Sequence, residues 1–186
     1  KPQSPGRSRM LYSKQLNHYS VVTLGMLLLC KTAFLLPTDV HADEDDDEME
    51  LHYVEIKTTT DYFELAEQAR DSGKIIMLEI SASYCGYCEL LEEEIIKPML
   101  RSGDYDDTVL IRKLDIDSYY TIIDFIGDKS TPDEMATAYK IRITPTLLFL
   151  DGEGNEAAKR ILGVNSLDFF GGYVDEAIDR AIQATR

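Results

Sequence analysis

The sequence contains no tryptophan, only three histidines and three cysteines, and far fewer basic than acidic residues. Lysine and arginine number 19 against 34 aspartates and glutamates, which gives a formal net charge of −15. A chain with this charge repels nucleic acids and anionic membranes, so neither is expected as a partner. Long apolar runs are also absent, because Lys31 interrupts the longest one before it reaches the ~18 residues that a membrane-spanning helix needs.

The scarcity of histidine argues against metal and haem sites built on paired cysteines. After residue 42 the chain has one histidine, His52, far upstream of the pair Cys85 and Cys88. A structural zinc site usually has four ligands, of which such a pair supplies two. A c-type haem site needs histidine directly after the second cysteine, where this chain has Glu89. We therefore expect no metal and no cofactor, and a metal-binding module stays an alternative.

The first 42 residues have the features of a secretory signal peptide. All charges before residue 20 are basic, and an apolar run follows at residues 21–30. Val40 and Ala42 occupy the −3 and −1 positions of a cleavage site. We predict cleavage after Ala42 and a periplasmic or secreted protein, with a retained N-terminal membrane anchor as the alternative. The six successive acids from residue 43 make residues 43–50 a predicted acidic linker without fixed structure.

Residues 51–186 are predicted to form one α/β domain, because strand and helix patterns alternate along them. The predicted strands are residues 51–57, 74–81, 108–115, 146–150 and 156–161. The predicted helices are residues 61–71, 85–98, 130–139 and 166–184. Pro98 is expected to kink or end the second helix. Asp61 is expected to cap the first helix, whose predicted apolar stripe is Phe63, Leu65, Ala66 and Ala69.

The pair Cys85-Gly86-Tyr87-Cys88 lies where a strand pattern changes to a helix pattern. Two thiols at this spacing can close and reopen a disulfide, and so carry two electrons. Because Cys30 would leave with the signal peptide, this pair remains alone, whereas a secreted domain stabilised by disulfides usually has several pairs at longer spacing. A helix N-terminus at this point favours the reactive thiolate. The pair is therefore predicted to be a redox centre.

Four features in order resemble the thioredoxin superfamily. The first is the pair Cys85 and Cys88 between a strand and a helix. The second is Glu79, six residues before Cys85, where thioredoxins have a buried acid. The third is Thr144-Pro145, at the position of the cis-proline loop of the family. The fourth is the segment 139–149, which is similar to the thioredoxin sequence through that loop and into the next strand.

The resemblance extends from about residue 53 to the C-terminus and implies the thioredoxin fold, an α/β fold with a central mixed sheet flanked by helices. Three departures accompany it. Tyr84 stands where thioredoxins usually have tryptophan. The inner dipeptide Gly86-Tyr87 resembles that of periplasmic disulfide isomerases, although the chain has no room for their dimerisation domain, and a monomer is expected. Residues 118–130 form an insertion before the third predicted helix.

The resemblance also implies roles for the site residues. Cys85 is expected to be the exposed nucleophile and Cys88 the more buried thiol that resolves the mixed disulfide. Glu79 is expected to accept the proton of Cys88, and the alternative for it is a half-exposed strand residue. Pro145 is expected to be cis, with a plain turn or strand-edge proline as the alternative. The expected substrate-binding residues are Tyr84, Gly86, Tyr87, Thr144 and Pro145.

The function predicted from these residues is thiol–disulfide exchange with partner protein disulfides, with the protein acting as a reductant. The expected partners are those proteins and an upstream thiol that supplies electrons. A disulfide oxidase or isomerase is the alternative within the same chemistry. A thioredoxin-fold module that is non-catalytic or binds metal is the alternative from a different class.

Overall fold

The computed structural model describes residues 53–186, and the account below concerns that part of the chain. The predicted signal peptide, the acidic linker, Leu51 and His52 lie outside the described residues. Among the described residues, no helix combines the length and the apolar character needed to cross a membrane.

A four-stranded mixed sheet organises the domain, with the strands in the order β2-β1-β5-β6. The strands are β1 (Ile75–Ser81), β2 (Val109–Asp115), β3 (Ile122–Ile123), β4 (Lys129–Ser130), β5 (Thr146–Leu150) and β6 (Glu156–Leu162). β1 runs parallel to β2 and antiparallel to β5, and β5 pairs antiparallel with β6. The short strands β3 and β4 form a separate antiparallel pair. The predicted central mixed sheet is therefore present.

The helices are α1 (Tyr62–Ser72), α2 (Gly86–Leu91), α3 (Lys97–Ser102), α4 (Pro132–Ala138) and α5 (Leu167–Ala184). A π-helical turn, Glu92–Ile96, joins α2 to α3 without a break. The prediction that Pro98 ends this helix is wrong, because helix continues to Ser102. The regular α-helical pattern is interrupted by the π turn just before Pro98. Pro98 lies in the first turn of α3, where a residue without an N–H group is tolerated.

The core lies on both faces of the sheet, with β1 buried along its whole length. Successive side chains of a strand point to opposite faces. Ile75 and Met77 accordingly pack in one cluster with apolar residues of α2, α3 and α5, while Ile76 and Leu78 pack in another with those of α1 and α4. The continuous apolar run of this strand is explained by burial on both faces, as predicted.

Helix α1 begins and ends close to the predicted residues. The side chain of Asp61 accepts a hydrogen bond from the N–H group of Glu64 (2.8 Å), and Gly73 ends the helix with φ +67°. The predicted stripe is wrong at Phe63, which is 41% exposed, whereas Tyr62 is fully buried. Tyr62 precedes Leu65 by three residues and Ala66 by four, whereas Phe63 precedes Leu65 by only two, and this periodicity decides which aromatic ring faces the core.

The predicted first strand is wrong for the part of it that the structure describes. Residues 53–57 have no regular structure, and only Thr58 forms an isolated bridge, to Lys113 of β2. The side chain of Tyr53 is exposed while that of Ile56 is buried. One buried side chain does not give a strand a face to bury, so the alternation in the sequence was not sufficient.

The insertion at residues 118–130 contains β3 and β4 and packs against the core through part of its apolar residues. Ile122 is fully buried. The ring of Phe125 lies 5.5 Å from that of Tyr62 and 6.3 Å from that of Tyr139, measured between centroids. Tyr119 and Ile126 remain exposed, so the insertion also presents apolar side chains to solvent.

Helix α4 starts with a capping box that gives a test of its stability. The N–H group of Glu134 donates to the hydroxyl of Thr131, and the N–H group of Thr131 donates to the carboxylate of Glu134. Thr131→Ala removes the first bond, and we expect it to lower the free energy of unfolding by ~1 kcal/mol in urea titrations. Thr131→Ser keeps a hydroxyl and should retain most of the stability; equal losses in the two variants would contradict this account.

Candidate active site

The two cysteines of the C-x-x-C pair form a disulfide between β1 and α2. The Cα atoms of Cys85 and Cys88 are 5.3 Å apart. Cys85 is the N-cap residue of α2, and its sulfur accepts a hydrogen bond from the N–H group of Cys88 at 3.2 Å. That amide would stabilise negative charge on the same sulfur after reduction.

Cys85 is less exposed than the sequence suggested. In the disulfide it is 9% exposed and Cys88 is 1% exposed, so the expected order holds but both residues are buried. Ala82 and Ile116 pack around the pair and account for this burial.

Glu79 is a buried carboxyl group inside the apolar core. It has no exposed surface, and neither of its carboxyl oxygens has a hydrogen-bond partner. Burial raises the pKa of Glu79 from 4.5 to about 9, and the carboxylates of Glu92 and Asp115 add to the shift, while Lys113 opposes it. The carboxyl group is therefore protonated at neutral pH, and the alternative of a half-exposed strand residue is wrong.

Glu79 and Cys88 lie at the same end of the sheet and on the same face. Glu79 follows Met77 by two residues in β1, so both point to the face that α2 and α3 cover. Cys88 precedes the buried Leu91 by one helical turn, so it lies on the covered side of α2. Because α2 follows directly after the end of β1, this arrangement brings the carboxyl group and the inner sulfur to the same region.

A solvent-filled cleft of about 590 Å³ lies beside the inner cysteine. Cys88, Glu92 and Lys113 line it, together with Asp115 and Tyr119. The ammonium group of Lys113 lies 3.2 Å from Oε1 of Glu92 and 3.8 Å from Oδ1 of Asp115. The sequence analysis missed Glu92 and Lys113; pairing the apolar centres of the first two core strands would have placed Lys113 beside Glu79, as their register does.

Asp117 fixes the segment that precedes the disulfide and was also missed. Its carboxylate accepts hydrogen bonds from the main-chain N–H group of Ser83 (3.0 Å) and from the Ser83 hydroxyl. These bonds lower the pKa of Asp117. The loop after β2, where the insertion begins, is thereby joined to the loop that carries Cys85.

The residues expected to bind substrate are placed around the end of β1. The Thr144–Pro145 peptide bond is cis, and Pro145 is buried. Thr146, the next residue, pairs with Ile80 near the end of β1, so Pro145 lies beside the strand end from which the disulfide loop departs. The carbonyl of Pro145 accepts a hydrogen bond from Gly163 at 2.8 Å.

The rim of the disulfide is aromatic on its solvent side. Tyr84 and Tyr87 are 77% and 64% exposed, and a Cβ on Gly86 would meet no atom within 4 Å outside its chain neighbours and the backbone of its own helix. The C-x-x-C loop therefore presents two free tyrosine rings and an open backbone. Over residues 53–186, no group of three or more histidine, cysteine, aspartate or glutamate residues is arranged to hold a metal ion.

The raised pKa of Glu79 predicts a characteristic pH dependence of stability. Between 4.5 and about 9 the folded protein holds a proton that the unfolded chain has released. The stability that this bound proton contributes is complete below pH 4.5 and is lost as the pH rises through about 9. Glu79→Gln has no such proton to release and lacks this loss of stability. The free energy of unfolding of the wild type, compared with that of Glu79→Gln, should therefore fall by about 1.4 kcal/mol per pH unit between pH 4.5 and about 9.

Urea unfolding from pH 5 to 9 measures this difference. Glu67→Gln, which removes a carboxylate from the exposed side of α1, should keep the wild-type dependence. Parallel stability curves for the wild type and Glu79→Gln would show that the carboxyl group is not held in its neutral form.

Comparison with known proteins agrees with the fold. The family model described as a thioredoxin-like domain matches residues 62–178. Thioredoxin-1 of Drosophila melanogaster is 30% identical over 95 residues, which cover 51% of this chain and 72% of that protein. Thioredoxin-1 of Drosophila yakuba is 29% identical over 103 residues, which cover 55% of this chain and 79% of that protein.

Solved thioredoxins also align with the chain. The germline-specific thioredoxin Deadhead of Drosophila melanogaster has 24% identity and a TM-score of 0.47, covering 67% of this chain and 98% of its own. A poplar thioredoxin h has 18% identity and a TM-score of 0.47, covering 65% and 95%. The family match, together with the mixed sheet and the C-x-x-C disulfide, confirms the predicted superfamily and fold: this chain belongs to the thioredoxin-like domain family.

Proposed function

We propose that the protein is a thiol–disulfide oxidoreductase that reduces disulfides of partner proteins. The observation that carries the proposal is the disulfide between Cys85 and Cys88 at the start of a helix, at the same end of the sheet as a buried carboxyl group that holds a proton at neutral pH. A structural disulfide of such short span contributes little stability, because it closes a very small loop.

The reaction starts from the reduced pair. The thiolate of Cys85 attacks one sulfur of the partner disulfide, forms a bond to it and releases the other partner sulfur as a thiolate, which takes a proton. Cys88 then gives up its proton and attacks the sulfur of Cys85. The Cys85–Cys88 disulfide forms and the second partner sulfur leaves. The partner gains two electrons and two protons. The protein loses two electrons and the proton of Cys88, and the other proton comes from solvent, because Cys85 starts as the thiolate.

Glu79 is suited to carry the proton of Cys88. A cysteine thiol has a pKa of ~8.5 in peptides, and the pKa of Glu79 is raised to about 9. At neutral pH the carboxyl group holds its proton and can give it to Cys88 when the disulfide is opened. Its ionised form is a base strong enough to take the thiol proton back when the disulfide forms. An ordinary carboxylate, which releases its proton far below neutral pH, is a poor base for a thiol.

Partner segments would bind across the rim of the disulfide. Tyr84 and Tyr87 offer exposed aromatic surface, and Gly86 leaves the backbone open to close approach. An extended segment would pair with the main chain of Thr144 beside Pro145. Tyrosine rings bury a large area with little loss of side-chain freedom, which suits a site that accepts several partners.

The proposal includes the cellular setting expected from the sequence. An upstream thiol would return the disulfide to the dithiol form, no bound cofactor would be required, and the protein would act as a monomer. The basic and apolar N-terminal residues and the cleavage pattern at Ala42 support export to the periplasm or beyond.

Insulin reduction and trapping of the mixed disulfide test this function. With an excess of dithiothreitol, the wild type should accelerate insulin precipitation, while Cys85→Ser should be inactive because the attacking sulfur is missing. Cys88→Ser should accumulate a mixed disulfide with a partner protein, since the resolving thiol is absent. The matched variant Cys85→Ser, which retains Cys88, should accumulate none.

The redox potential of the Cys85–Cys88 couple decides the direction of electron flow. We expect a value near the ~−270 mV of thioredoxin, as befits a reductant. A value near the ~−120 mV typical of a strong disulfide oxidant would contradict the proposed direction. Equal adduct formation by Cys85→Ser and Cys88→Ser would contradict the assignment of the two sulfurs.

A further inference from the structure

Lys113 is the natural counter-ion of Glu79, yet it is bound elsewhere. The two residues are direct neighbours in the register of β1 and β2 and therefore lie on the same face of the sheet. The ammonium group of Lys113 donates to both oxygens of Glu92, at 3.2 and 3.5 Å. The carboxyl group of Glu79 has no hydrogen-bond partner.

Glu92 is held in position by the helix that carries the inner cysteine. It follows Cys88 by four residues, and its N–H group donates to the carbonyl of Cys88. The two side chains therefore lie on the same side of the helix, and both line the cleft. Glu92 is also the first residue of the π turn, a local distortion that is frequent at functional sites.

The charged groups that face Glu79 come from two elements only, within the part of the chain that the structure describes. β2 contributes Lys113 and Asp115, and the helix after the disulfide contributes Glu92. On the other side, β5 places the apolar Leu147 next to Glu79. The buried residues of α5 that cover this face are apolar as well.

We infer that Glu92 is a positioning residue for the proton transfer at Cys88. By binding the ammonium group of Lys113, it keeps that cation away from Glu79, so that Glu79 stays neutral until it exchanges a proton with the inner sulfur. The inference rests on the proposed function and adds the residue that controls its proton carrier.

The effect on the reaction follows from the charge balance. If Lys113 were free, its ammonium group would favour the carboxylate form of Glu79. A larger fraction of Glu79 would then lack the proton that it gives to the sulfur of Cys88 when the disulfide is opened, and the carboxylate, as a weaker base, would take the thiol proton less readily when the disulfide forms. With Lys113 bound to Glu92, the charge of Glu92 acts on Glu79 more strongly than that of Lys113, so the pair together favours the neutral form of Glu79.

The titration of Glu79 in the oxidised protein tests the inference, followed through the carbon-13 resonance of its carboxyl group. Glu92→Gln releases Lys113, and we expect the midpoint of the Glu79 titration to fall by about 1 to 3 pH units. The pH profile of insulin reduction should move in the same direction. Glu94→Gln, which makes the same change of charge at an exposed position two residues further on, should move neither.

A double-variant comparison separates this mechanism from a simple effect of the charge of Glu92. Lys113→Gln should shift the Glu79 titration much more in the Glu92→Gln background than in the wild type, because only there has the ammonium group lost its closer ion pair, leaving the longer one to Asp115, so that it can approach Glu79. An equal shift in both backgrounds overturns the inference. The titration follows the resonance of folded molecules, so a variant that fails to fold is recognised by the loss of that resonance. In that case Glu92→Asp serves as a second variant, which should retain the wild-type midpoint of the Glu79 titration.

The two proposals fail in different ways. A wild type that does not reduce insulin overturns the proposed function, and the titration still decides whether Glu92 controls Glu79. Insulin reduction by the wild type with an unchanged titration in Glu92→Gln overturns the role of Glu92 and leaves the function standing.

Discussion

The site depends on a carboxyl group that is buried in the central strand without a partner. β1 is covered on both faces, so Glu79 has no contact with solvent, and an ionised carboxylate there would lack compensation. The group remains neutral instead, which makes its protonation sensitive to every nearby charge. The protonation of Glu79 therefore depends on the position of Lys113, on the length of the side chains that line the cleft and on the packing of the helix over this face.

The same strand places the redox pair. β1 ends at Ser81 and the helix begins at Gly86, so the few residues between them must carry Cys85 to the helix N-terminus. Asp117 holds this loop through Ser83, and the cis-proline loop lies along the neighbouring strand end. The end of a rigid sheet, a short loop and the start of a helix thus fix the positions of the two sulfurs. The reaction itself involves these two sulfurs and one proton.

Much of this arrangement could be predicted from the sequence because it rests on local signals. The largely apolar β1, the caps at Asp61 and Thr131 and the C-x-x-C pair at a strand-to-helix change each need only a few adjacent residues. The burial of Phe63 and the strand before helix α1 were predicted wrongly. At these places the local sequence fits more than one arrangement, and the surface that the rest of the chain covers decides between them. The family resemblance supplied the role of Glu79, which spacing alone left open.

The network around Glu79 could not be predicted, because its members meet only through the sheet register and the helix geometry. The register of two parallel strands places Lys113 beside Glu79, and the helix after the disulfide brings Glu92 to Lys113. In the sequence, Glu92 is one of three successive glutamates and looks like part of a solvated helix face. Only Glu92 of the three lines the cleft, which separates it from Glu93 and Glu94. The register of β1 and β2, which the burial of β1 fixes, thereby distinguishes Glu92 from the two glutamates that follow it and makes it a neighbour of the redox site.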